Sequence, residues 1–176
     1  KSALIFGLVA VMSSGAALAA EPESCKTVRL GEVEWSDIRA TTGLASVVLE
    51  ALGYTPEVTT LPVPIIYSQL KSKNLDVFLG NWMPTMEADI APYREDKSVE
   101  TVVTNLEGAK YTLAVPKYTF DAGLKSFEDI SSFKEQLDGK LYGIEPGNDG
   151  NRLILDMISS DKFGLKEFEL VESSEA

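Results

Sequence analysis

Residues 26–53 read KTVRLGEVEWSDIRATTGLASVVLEALG, and this stretch decides the fold. Over 26–33 polar and apolar side chains alternate, with Val28, Leu30 and Val33 apolar, which is the pattern of a strand. Ser36 or Asp37 can cap a helix that follows. Leu44, Val47, Val48 and Ala51 then recur at i, i+3, i+4 and i+7, and Gly53 predicts the stop. Strands and helices continue to alternate outward from this unit. Residues 57–61 predict a strand, 64–72 a helix, and 75–79 a short apolar run of the kind buried in a parallel sheet. A helix is expected from near Pro84, where proline suits the first turn, and a strand over 99–103. Residues 105–108 form a turn-like joint, after which 110–115 are extended and 126–137 helical. Residues 140–144 predict a strand, Gly147–Asn151 open a helix, and 168–171 predict the last strand. Residues 173–175 resemble the cap of a further helix. The alternation gives an α/β fold with parallel sheets, and the joint divides it into two lobes.

The chain has 176 residues, 44% of them apolar and 24% charged, as in globular proteins. Residues 1–20 join Lys1 to an apolar run and then to small residues ending Ala17-Leu18-Ala19-Ala20. That order predicts a secretory signal peptide rather than a membrane anchor, which needs about 18 or more apolar residues. There is no His, which excludes His-dependent triads and His-ligated metals. The lone Cys25 cannot form a disulfide within this segment. In an exported protein it points to a partner elsewhere, and with the missing initiator Met it suggests a segment of a longer protein. A net charge of −11 makes nucleic acid a poor partner.

Residues able to carry chemistry lie where strands give way to helices or turns, the ends at which α/β proteins form ligand sites. They are Trp35 and Asp37 after the first strand, Trp82 after the buried strand, and Tyr111 with Asn148 beyond the joint. Singly, each has an ordinary reading. Trp35 suits a core, Asp37 a helix cap, Trp82 a turn beside Pro84, Tyr111 a strand, and Asn148 a turn or cap. Their joint occurrence carries the inference.

Asp37 two residues after Trp35, Gly80-Asn81-Trp82-Met83-Pro84, Tyr111 ahead of Thr112-Leu113-Ala114-Val115-Pro116, and Glu145-Pro146-Gly147-Asn148 together resemble the substrate-binding proteins of ABC importers for glycine betaine and choline. The resemblance covers roughly residues 26–176 and, in order and spacing, is to the periplasmic choline-binding branch. It implies a two-lobed, periplasmic-binding-protein-like (type II) α/β fold. Lobe one would occupy 26–106 and lobe two 107–176, with the second lobe and the return to the first incomplete. It implies that Trp35, Trp82 and Tyr111 cage a trimethylammonium group while Asp37 and Asn148 hold the choline hydroxyl. A fourth cage tryptophan and the partner of Cys25 would lie beyond Ala176. The resemblance further implies a monomeric, periplasmic carrier that hands choline to a permease in the inner membrane, without catalysis, metal or cofactor.

These residue types suit such a ligand. A quaternary ammonium has no N–H to donate, and its charge is spread over methyl groups. Aromatic faces offer it apolar contact and negative quadrupole together, worth about 0.5–2 kcal/mol per ring. Asp37 can accept from a hydroxyl but repels a carboxylate, which favours choline over betaine. Because the candidates fall on both sides of the joint, a ligand touching all of them favours a closed form. Other readings stay open on the residues alone. They are a glycine betaine or proline betaine carrier, a ligand-sensing subunit, and an enzyme on the same scaffold, although no nucleophile elbow or phosphate loop selects the last.

Overall fold

The computed structural model describes residues 22–174. The signal segment expected at 1–20 and the end of the cap expected at 173–175 lie outside them. The first half is built on β1 (Thr27–Glu32), α1 (Ser36–Ala51), β2 (Thr55–Thr60), α2 (Val63–Lys71), β3 (Val77–Phe78) and α3 (Glu87–Glu95). Its three strands are parallel in the order β2-β1-β3. Thr27 to Glu32 run opposite Thr55 to Thr60, and Leu30 and Gly31 lie opposite Val77 and Phe78. The central strand is also tied to the approach of β3 by the Arg29 guanidinium, which grips Asp76 at 2.6 and 2.9 Å. That fork holds the Asp76 carboxyl below the usual carboxylate range. The second half contains α4 (Lys117–Asp121), β4 (Lys140–Tyr142), α5 (Asp149–Ser159) and β5 (Glu169–Val171), with β4 and β5 parallel.

Each half has its own apolar cluster. Val33, Trp35, Ile38, Val63, Ile66, Tyr67, Leu75, Met86 and Ile90 fill the first, and Leu124, Ile130, Leu141, Ile154, Leu165 and Phe168 the second. Full burial of one such side chain contributes about 1.5–3 kcal/mol, so each sheet has a separate reason to stay folded.

Several expectations need correction. Trp35, with extended dihedrals, occupies the N-cap of α1, and Ser36 and Asp37 are its first helical residues. The helix begins as soon as the indole has been directed inward. Only Ile38 and Thr42 of α1 are buried, while Leu44, Val47, Val48 and Leu52 are exposed. Among the described residues no element covers that stripe. The helix expected from Pro84 starts at Glu87, because residues 82–86 first form a turn in which the Met86 N–H donates to the Trp82 carbonyl at 2.9 Å. Residues 99–103 and 110–115 are extended in sequence pattern but pair with no strand among the described residues. A strand exists through a partner's backbone groups, and without one Val102 stands 86% exposed. The amphipathic segment at 126–137 is 3₁₀ over Phe127–Phe133, opened by a reciprocal capping box between Ser126 and Asp129.

Candidate functional site

Trp35 and Asn148 cap helices, Asp37 lies in the first turn of α1, Trp82 lies in the turn after β3, and Tyr111 lies before α4 in a segment that pairs with no strand among the described residues. Trp35 is 8% exposed, packed in the first apolar cluster, and its indole N–H points across to the second half. There it donates to both carboxylate oxygens of Glu145, at 3.1 and 3.2 Å. Trp82 packs on the same cluster from the turn after β3. Its backbone is fixed by its own N–H on the Met86 sulfur at 3.1 Å and by the Thr85 hydroxyl on its carbonyl at 3.0 Å. Its ring meets Tyr111 of the second half, with centroids 5.9 Å apart and planes tilted by 37°. At that spacing the rings touch one another, so they offer a ligand a wedge of two faces rather than a slot between parallel ones.

On the second half, Asn148 caps α5 and is 1% exposed. Its Oδ1 accepts from the Gly150 N–H at 2.7 Å and from the Tyr111 hydroxyl at 3.3 Å, and its Nδ2 donates to Glu145 Oε1 at 3.1 Å. A Cβ at Gly150 would lie 2.3 Å from the Tyr111 hydroxyl oxygen, so glycine lets Tyr111 take this position. Burial pushes the Tyr111 hydroxyl up to about 12, with the negative charges of Asp149 and Glu145 adding to the shift. A further link between the halves runs from the Arg152 guanidinium on α5 to the Asp89 carboxylate on α3, with Nη1–Oδ1 at 3.1 Å.

Trp35, Tyr111 and Asn148 are thus joined through hydrogen bonds centred on Glu145, and Tyr111 joins Trp82 by ring contact. Asp37 stands apart from that network. It lies exposed in the first turn of α1 and lines a cavity of about 510 Å³ together with Ile38, Asn81, Trp82 and residues 99–105. Trp35, Tyr111 and Asn148 do not line that cavity. Glu145 is the residue that sequence reasoning missed as a participant. Its only signal was an acid three positions before an asparagine that caps a helix. Among the described residues no group of three or more His, Cys, Asp or Glu side chains could hold a metal ion.

The family model for the substrate binding domain of the ABC-type glycine betaine transport system (OpuAC) matches residues 26–176. The chain belongs to this family. Members of the OpuAC family are transport binding components, not enzymes. An ABC-transporter choline binding protein solved in complex with choline is 65% identical, with a TM-score of 0.81 over 88% of this chain and 54% of that one. Lactococcal OpuAC, solved closed with glycine betaine, is 27% identical, with a TM-score of 0.69 over 85% of this chain and 56% of that one. An uncharacterized protein, ORF1, from Chromohalobacter salexigens is 55% identical over 129 residues, which are 73% of this chain and 83% of ORF1. The chain spans about half the length of the solved relatives it matches. Its two-lobed α/β architecture is that of type II binding proteins, of which it holds an incomplete part.

Proposed function

We propose that this chain is the solute-binding part of a choline importer, clasping the ligand between lobes formed by residues 26–106 and 107–176. The observation that supports it most is the meeting of aromatic residues from the two halves, Trp82 against Tyr111, beside Trp35 reaching across to Glu145. In this reading the three rings receive the trimethylammonium group, and Asp37 and Asn148 hold the hydroxyl. The carrier is a periplasmic monomer, exported by the segment at 1–20, and its closed form delivers choline to the permease in the inner membrane.

The family description favours glycine betaine as a second reading. The charges near the site argue against it. Asp37, Glu145 and Asp149 are acids, and Arg152, the nearby cation on α5, has its guanidinium on Asp89. A betaine carboxylate brought among those groups meets repulsion that a hydroxyl does not. Calorimetric titration of the complete protein with choline and with glycine betaine tests the choice. Choline should bind at least about tenfold more tightly, one hydrogen bond to a charged acceptor being worth at least that much. Betaine binding as tightly as choline would refute the assignment.

A further inference from the structure

Glu145 touches residues of both halves, and the chain fixes it with care. Asn151, 3% exposed on α5, accepts from the Ile144 N–H at 2.8 Å and donates from Nδ2 to the Ile144 and Glu145 carbonyls at 3.0 and 3.1 Å. A side chain at Gly143 would lie 2.1 Å from the Asn151 amide oxygen, so this brace depends on the glycine. The backbone of Glu145 is therefore clamped to the helix that carries Asn148.

We propose that Glu145 is the positioning residue for the polar tail of the ligand, setting which way the Asn148 amide faces. This rests on the reading of the site as a choline pocket. An asparagine amide offers one oxygen and two N–H donors. In Asn148 the oxygen is occupied by the Gly150 N–H and the Tyr111 hydroxyl, and one N–H is occupied by Glu145. Turning the amide over would set its NH₂ against the Gly150 N–H and its oxygen against the carboxylate, two repulsive contacts in a buried place. The remaining N–H is what Asn148 can present to a ligand, and it asks for an acceptor oxygen such as that of a hydroxyl.

The other partner of Glu145 is held differently. Trp35 is fixed by packing among Val33, Ile38 and their neighbours, so losing a hydrogen-bond acceptor moves the ring little. The hydrogen bonds of Glu145 therefore act on the tail of the ligand and hardly on its cationic head.

The test uses the complete protein, choline, and tetramethylammonium, which has the head without the tail. E145D keeps the charge but retracts it by one methylene, out of reach of both partners, whereas E145Q loses the charge but keeps an oxygen that can accept from both. E145D should weaken choline by about tenfold, the scale of one hydrogen bond, and leave tetramethylammonium nearly unchanged, whereas E145Q should change the two ligands alike through its lost charge. Added to N148A, E145D should not weaken choline further. The Trp35 indole N–H and Asn148 side-chain amide resonances of the ligand-free protein should shift in E145D. Equal losses for the two ligands in E145D, or no loss for either, overturn the positioning role while the choline reading stands. If the parent protein binds neither ligand, the choline reading fails and the tail role fails with it. Unshifted amide and indole signals refute the contact itself.

Discussion

The two halves hold their site residues by different means. In the first half Trp35 and Trp82 lie on the apolar cluster under the three-stranded sheet, and van der Waals contact keeps their rings in place. In the second half the described residues form a sheet of two strands paired over three residues. There Asn148 and Glu145 are kept in place by directed hydrogen bonds at the N-terminus of α5, and the Tyr111 hydroxyl joins them. Packing tolerates a vague partner such as a methylated cation, because it depends on shape and area. Hydrogen bonds demand a particular donor or acceptor at a particular angle. The division suits a ligand with a greasy charged head and a polar tail.

The strongest way to break this contrast is to loosen each half in turn. Ile66→Ala and Ile154→Ala, both at buried positions, should each destabilise the complete protein by about 2–5 kcal/mol in denaturant titrations. Ile66→Ala should also weaken choline, since both tryptophans pack on that cluster, whereas Ile154→Ala should leave affinity nearly unchanged below its unfolding temperature. Equal losses of affinity would erase the distinction. Next in size is Asp37→Ala, which should cost choline about 1.5–3 kcal/mol, the worth of a hydrogen bond to a charged group, and tetramethylammonium almost nothing by calorimetry. Trp82→Ala should instead weaken both ligands alike, by about 0.5–2 kcal/mol for one lost ring. A Trp82 effect confined to choline would place that ring at the tail.

The smallest expected effect concerns Tyr111. Its folded-state value near 12 lies above its ordinary 10, so the unfolded chain releases this proton first as pH rises. Stability is untouched below pH 10 and declines between about 10 and 12. Tyr111→Phe should flatten part of that decline in alkaline denaturation curves, at a cost near neutrality of about 0.5–1.5 kcal/mol for the lost hydrogen bond. Tyr67, also raised by burial, should retain its share of the decline. An unchanged alkaline curve in the variant would show that Tyr111 carries none of it.

How far the chain could be read in advance follows the same physics. The order of strands and helices was legible because apolar periodicity is local. Asn148 as a helix cap was visible because capping is a property of a few adjacent residues. The exposure of the α1 stripe was not, because periodicity reports which residues share a face and not whether anything lies over it. Residues 99–103 read as a strand from their β-branched content, yet pairing depends on a partner that composition does not supply. Trp35 displaced Ser36 and Asp37 from the cap because a tertiary demand, burial of an indole, outweighed a local preference. The role of Glu145 was hidden for the simplest reason: its partner Trp35 is 110 positions away in the chain.

Gly150 has a practical consequence. A methyl group there would press on the free end of the Tyr111 side chain, which can swing away while α5 stays where it is. Alanine at this position is therefore a tuning screw. It would alter the grip on the ligand without asking the scaffold to refold, and an engineer wanting a reagent that releases its analyte quickly would begin there.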